Sequence, residues 1–329
     1  MKKIIISIVC LVIVVLGALW LANKKENTST LKKVKVAEVA HSIFYAPQYL
    51  AHSLGYFEEE GLDVDIILTS GADAVAAAVM SDDVQIGFCG SEQTIYIYNQ
   101  GAKDYLINFS SLTKKDGSFL VARKEMKNFS IADLKGAHII AGRKAGMPAM
   151  TLEWALNKNG VKTEEVNFDT SIAFAAMSGA FIGGTGDYVS LFEPNALALE
   201  KEGKGYVVAS LGELGGVVPY TTYHAKKSYI EKNPEVIEGF TKAIDRALDY
   251  VHSHSESEIA EHIIDYFPDV TYNDLTKIVK RYMDIDAWYD TSFISEKDFN
   301  HIQEIIDNAG ELEKKAPYEK LVDTTYMRK

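Results

Sequence analysis

Apolar residues fall along this chain in three regimes. Behind Lys2 and Lys3 lies an uncharged run from Ile4 to Ala22, followed by a polar stretch over 23–31. Beyond it, short β-like runs alternate with helical periods, and after Lys226 the pattern is almost wholly helical. Lys33–Val39 alternates as a strand does, and Pro47–Leu54 reads as a helix opened by proline in its first turn. Leu62–Leu68, Val84–Phe88 and Leu106–Leu112 are strand-like, with helices over Asp73–Met80 and Ser91–Tyr98 between them. This βαβαβ order predicts a mainly parallel sheet covered by helices.

The theme repeats. Ala137–Ala141, Glu165–Phe168, Tyr188–Leu191 and Tyr206–Ala209 are strand candidates; Pro148–Lys158, Ile172–Met177 and Pro194–Glu200 are the intervening helices. Helices over 234–252, 256–265, 273–283 and 296–308 follow. Two sheet-bearing units predict a two-lobed α/β molecule whose ligand sits where strand ends face a cleft. Residues 31–117 with 225–329 form one expected lobe and 124–217 the other, with crossovers near Ser118–Arg123 and Val218–His224.

The Ile4–Ala22 run has nineteen residues, about 28 Å as a helix, close to the roughly 30 Å of a bilayer's hydrocarbon core. A cleavable signal peptide would have a shorter run and a small-x-small exit. Trp20 spoils the best exit, after Ala22, and Cys10 follows Val9 rather than the small residue that lipidation needs. An uncleaved anchor is therefore expected, with removal of the segment as the alternative. Lys2 and Lys3 face Lys24 and Lys25 across the run, so charge alone does not orient it.

Charge and cysteine content narrow the classes. The chain has 34 Lys and Arg against 46 Asp and Glu, a balance that disfavours nucleic acid as a partner. Of its two cysteines, Cys10 lies in the apolar run. Cys89 is thereby left without a partner, for a disulfide or for a cysteine-based zinc site. No cofactor is expected.

Pro47-Gln48-Tyr49-Leu50-Ala51 followed by Gly55-Tyr56-Phe57-Glu58-Glu59-Glu60-Gly61-Leu62-Asp63-Val64 resembles the opening of the NMT1/THI5-like (nitrate, sulfonate and taurine) group of periplasmic binding proteins. Ala76–Met80 with Asp83-Val84-Gln85-Ile86-Gly87-Phe88 resembles a second signature. Asp133-Leu134-Lys135-Gly136, Gly146-Met147-Pro148 and Leu156–Gly160 resemble a third. The resemblance runs from about residue 33 to 310. It implies a type II (Venus-flytrap) periplasmic-binding-protein fold that closes on a small ligand and docks, as a monomer, on an ABC permease with its ATPase. It also implies an extracytoplasmic location. Family ligands include thiamine-related pyrimidines, riboflavin, sulfonates, taurine, nitrate and bicarbonate, so the family leaves the ligand open.

Ligand candidates lie at turns before helices, where free N–H groups suit an acceptor. Ser70–Asp73 is one such turn. By family position Gly90, Ser91, Gly146 and Met147 face the cleft, while the ordinary reading is helix capping. Arg143 and Lys144 could pair with an anionic group or coat the rim. Glu92 and Glu193 would repel sulfonate or nitrate but accept from an aminopyrimidine. Phe44, Tyr45, Tyr188, Phe192 and Tyr220 could sandwich a flat ring. Together they favour a thiamine-related pyrimidine or similar heterocycle, then sulfonate or taurine, then nitrate or bicarbonate.

Other signals carry less. Glu258 and His262 stand at i and i+4, near His252, His254 and Glu261, but this segment reads as a solvated helix junction rather than a metal site. Gly183-Gly184-Thr185-Gly186 lacks the lysine of a phosphate loop. No serine elbow or His-Glu-x-x-His pair is present. The family's pyrimidine-synthase branch carries a cysteine cluster that Cys89 alone does not match. Catalysis is therefore not expected. An anchored sensory protein remains a further alternative.

Overall fold

The computed structural model describes residues 31–329. The anchor expected over 4–22, Cys10 and the spacer up to residue 30 lie outside the described residues. Among the described residues no helix is long and apolar enough to cross a membrane.

The first strands are β1 (Lys32–Glu38), β2 (Leu62–Leu68), β3 (Ile86–Gly90) and β4 (Leu106–Thr113). They are followed by β5 (Phe119–Ala122), β6 (His138–Ile140), β7 (Asn167–Asp169), β8 (Tyr188–Leu191), β9 (Tyr206–Ser210) and β10 (Thr221–Lys226). Two five-stranded sheets result, ordered β2-β1-β3-β10-β4 and β7-β6-β8-β5-β9.

Both sheets are mixed rather than mainly parallel. β1 runs parallel to β2 and β3, but β10 is antiparallel to β3 and β4. In the second sheet β6 is parallel to β7 and β8, and β5 is antiparallel to β8 and β9. Phe119–Ala122 and Thr221–Lys226, expected at the crossovers, are interior strands. The chain changes sheet at 114–118 and again at 211–220. All four residues of β5 are buried, and such a run reads alike in sequence whether it lies within a sheet or between two.

Burial explains the layers. Val34 and Val36 of β1 point into the main core, while Ala37 faces Val75 and Val79 of the Ala72–Met80 helix. The Pro234–Ser253 helix lays Phe240 between Phe57 and Tyr223, each with ring centroids 4.8 Å away. The main core spans both sheets, joining Val36, Phe88 and Phe109 to Phe119, Ile140, Met147 and Leu191. The two lobes therefore meet across the cleft.

The C-terminal helices hold both lobes. Trp288 forms a bridge to Thr113 of β4, and its Nε1 donates to Phe44 O at 2.8 Å. The Glu296–Asn308 helix meets the second lobe where the His301 ring stands edge-on to Trp154, 5.3 Å away. His301 Nε2 lies 2.8 Å from Gly215 O, and Asn157 Nδ2 donates to Asn308 Oδ1 at 3.2 Å.

Candidate functional site

The Ile43–Tyr45 turn follows β1, with Ser42 accepting from Phe44 N at its start. The turn buries Phe44 completely. The Phe44 ring meets Tyr45 at 5.4 Å, Tyr282 at 5.0 Å, and Tyr220 and Phe192 at 5.9 Å each. Phe192 follows β8 of the second sheet, so this aromatic wall draws on both lobes. Tyr45 stands edge-on to Phe88 at 4.6 Å, and burial pushes its phenol well above the usual range.

β3 ends at Gly90, and the helix Glu92–Asn99 begins two residues later. A Cβ at Gly90 would collide with the Glu92 carboxylate and displace it. Ser91 does not cap the helix; its hydroxyl donates to Pro219 O at 2.6 Å, tying this turn to the returning chain. Glu92 is buried and its Oε2 has no partner. Burial pushes its carboxyl up to about 7, with Asp73 raising it further and Arg143 opposing.

On the other side Gly146 precedes the Met147–Lys158 helix, and Met147 joins the shared core. Arg143 Nη1 donates to Asp73 Oδ2 of the first lobe at 3.0 Å. Gly142 and Ala145 hold positive φ values of 103° and 57° in this loop.

Sequence reasoning missed Asp116, in the first crossing segment. Its Oδ1 accepts from Ser118 N at 2.8 Å and Ser118 Oγ at 2.5 Å, and the carboxylate is buried with the Thr151 and Tyr220 hydroxyls close by. Burial pushes this carboxyl up to about 6; Ser118, Thr151 and Tyr220 oppose. The available signal was a lone acid in a Gly-containing link between two β-rich runs. Burial raises the Tyr220 phenol well above the usual range, and Asp116, Tyr45 and Glu92 add to the rise.

Two expected residues are engaged by other parts of the fold. Tyr188 begins β8, at the opposite end from Phe192; it packs against Phe129, and its hydroxyl donates to Met126 Sδ at 3.3 Å. The strand's length of about 10 Å separates Tyr188 from Phe192. Glu193 is buried at the cleft side, but both of its oxygens are occupied. Oε1 pairs with Arg281, and Oε2 accepts from Leu197 N at 2.9 Å. It is thus a tie between the second lobe and the Tyr272–Asp284 helix rather than a free acceptor.

The histidine segment is occupied structurally. His254 stacks on Tyr250 at 3.7 Å, and His252 Nε2 lies 3.0 Å from Tyr289 O. Among the described residues no three His, Cys, Asp or Glu side chains converge as a metal site.

Known proteins resemble this chain in sequence and in fold. Residues 43–258 match the family model described as NMT1/THI5 like. The "Putative binding protein YtlA" of Bacillus subtilis (strain 168) is 45% identical over 94% of this chain and 92% of its own. The 4-amino-5-hydroxymethyl-2-methylpyrimidine phosphate synthase of Candida albicans (strain WO-1) is 26% identical over 67% of each chain. In fold, the chain is similar to the alkanesulfonate-binding protein SsuA from Xanthomonas axonopodis pv. citri bound to MOPS. The TM-score there is 0.72, with 14% identity over 89% of this chain and 98% of that one. The family model spans most of the chain, including the Phe44 turn, Glu92, Asp116 and Arg143, and on that ground the protein belongs to the NMT1/THI5-like family.

Proposed function

We propose that this chain is the extracytoplasmic solute-binding component of an ABC importer. It closes its lobes on a small aromatic heterocycle of the thiamine-pyrimidine kind and delivers it to a permease and its ATPase. Anchoring through residues 4–22 keeps it, as a monomer, at the outer face of the cell membrane. The ligand part of this reading is carried by the aromatic wall of Phe44, Tyr45, Tyr220 and Phe192 beside the unpartnered Glu92 Oε2. Aromatic faces favour flat rings, and a buried acceptor favours an N–H donor. Closure is a population shift, driven because the ligand binds the closed arrangement better than the open one.

Capture rather than catalysis is supported by Cys89, the cysteine among the described residues. It is buried, and burial pushes its thiol well above the usual range, so it is a poor nucleophile. A sulfonate, taurine or small-anion receptor is the second reading, favoured by Arg143 at the rim.

Thermal unfolding against pyrimidines, thiamine, riboflavin, taurine, alkanesulfonates, nitrate and bicarbonate tests the reading. A ligand at a hundredfold excess over its Kd stabilises by about 2.7 kcal/mol. That shifts the midpoint by several degrees, at roughly 2–4 °C per kcal/mol. A shift with ring compounds alone is the expected result. A shift with the anions alone would overturn the ring ligand and promote Arg143.

A further inference from the structure

We infer that His41, when it carries a proton, is a positioning residue that clasps the loop bearing Phe44 and Tyr45 to the Ile264–Tyr266 turn, so that pH sets the cleft's aromatic wall. The inference rests on the reading of that wall as a ligand surface, but not on which ligand it takes. His41 lies in the loop between β1 and the Ile43–Tyr45 turn. Its Nδ1 is 3.0 Å from Glu38 Oε1, and its Nε2 is 2.7 Å from Tyr266 O. A carboxylate and a carbonyl only accept. Tyr49 hydroxyl donates to Glu38 Oε2 at 2.8 Å, and so turns a lone pair toward His41 Nδ1 at 3.0 Å. A neutral imidazole donates from one nitrogen, whereas the imidazolium donates from both. The arrangement is therefore complete only with the proton on.

Loss of the proton leaves one of the two acceptors facing a lone pair, which weakens the clasp. Glu38 is buried, and its other donors are Gln48 Nε2 at 2.8 Å and the Tyr49 hydroxyl, both to Oε2. The His41 ring packs 4.8 Å from Phe267 and 5.1 Å from Tyr49. Its outer part lines a cavity of about 250 Å³ shared with Glu38, Tyr49, His52 and Tyr266, through which protons reach it. The remaining titratable groups around it are His52, whose Nδ1 lies 2.8 Å from Tyr266 hydroxyl, Asp65 of β2 on the cavity wall, and Asp265 beside Tyr266. The bond to Glu38 raises the His41 pKa, burial opposes the rise, and the Tyr266 carbonyl adds to it. A raised value means that the clasp is complete below about 6.5 and is lost as pH rises through the folded value.

Trp288 reports on the loop, because its Nε1 donates to Phe44 O at 2.8 Å. The full chain, labelled with 15N-tryptophan and 13C-histidine, therefore gives a test without any ligand. Magnetic resonance follows the His41 ring, identified by its contacts with Tyr49 and Phe267, and the Trp288 indole N–H between about pH 5 and pH 9. His41 is expected to titrate above about 6.5, and the Trp288 signal to shift with the same midpoint. His41→Gln removes that part of the shift, whereas His252→Gln, beside Trp288, leaves it. Glu92 and Asp116 titrate in the same range, so the difference between parent and His41→Gln is the quantity read.

A His41 midpoint at or below about 6.5 would overturn the clasp, and that measurement needs no variant. A Trp288 shift that survives His41→Gln unchanged would overturn it too. Calorimetry with 4-amino-5-hydroxymethyl-2-methylpyrimidine reads the consequence for capture. The parent should bind it tighter at pH 6 than at pH 8 by roughly threefold more than His41→Gln does. Equal ratios in the two proteins would overturn the link from clasp to wall. No binding at either pH would overturn the ring ligand, while the resonance signals still decide the clasp.

Discussion

Arg143 Nη1 of the second lobe donates to Asp73 Oδ2 of the first at 3.0 Å, directly across the mouth of the cleft. The pair joins the turn before the Met147–Lys158 helix to the first turn of the Ala72–Met80 helix. Lys144 with Glu311 at 3.4 Å repeats the link further out, and Tyr96 hydroxyl with Met150 Sδ at 3.8 Å repeats it further in. These contacts exist only while the lobes meet, so they bias the closed arrangement.

Because the Arg143–Asp73 side chains are 47% and 71% exposed, the pair contributes about 0.2–1 kcal/mol. Asp73→Asn should therefore weaken ligand binding by no more than about fivefold and leave the unfolding midpoint nearly unchanged. Calorimetry at low and at high salt checks this, since the difference between variant and parent should shrink as salt screens the pair.

Arg281 matters more, because its partners are buried deeper. It pairs with Glu193, which is fully buried, and with Glu200 at 2.7 Å. Burial raises the Glu193 carboxyl, and Arg281 opposes that rise. Arg281→Ala leaves a buried carboxylate uncompensated, at a cost of about 3 kcal/mol. The expected drop in unfolding midpoint is several degrees, readable by circular dichroism.

The two cleft carboxylates make stability depend on pH. Glu92 is raised to about 7 and Asp116 to about 6. Between each ordinary value and the raised one, the folded chain binds a proton that the unfolded chain lacks. Their burial thus becomes steadily more destabilising as pH rises toward those values. His224 acts oppositely, because burial lowers it to about 4, so stability is lost as pH falls below its unfolded value of about 6.5. Comparing Glu92→Gln with the parent isolates one contribution. The variant should gain about 3 kcal/mol relative to the parent between pH 4 and pH 8, read from denaturant midpoints. A constant difference across that range would remove Glu92 from the account.

Gly117 supports the aromatic wall from behind. A Cβ there would stand 2.7 Å from three ring carbons of Phe44, and the Gly117 carbonyl accepts from Tyr282 hydroxyl at 3.2 Å. Gly117→Ala should cost about 1–3 kcal/mol through overpacking. It should also weaken a ring ligand, because the Phe44 ring has to move. Paired unfolding and binding measurements separate the two effects.

The hydrophobic pattern by itself determined most of the elements, because period and turn chemistry are local. Leu62–Leu68, Tyr188–Leu191 and the 296–308 helix were read at their observed bounds. The order of short strands and helices, with the family motifs, was enough for the two-lobed class. Phe44, Tyr45 and Glu92 stood out as candidates in the sequence, because they follow strands at the turns that open the next helices. Tertiary structure alone decided the rest. The sheet to which Phe119–Ala122 belongs depends on which edges are already paired, and nothing in four apolar residues records that. Whether Glu193 is free depends on Arg281, 88 residues away. Tyr188 and Phe192 are four residues apart, yet one faces the outer core and the other the cleft. Asp116 became visible only when its burial between the lobes could be seen. Burial and pairing are properties of distant chain segments meeting, so they exist only in the folded molecule.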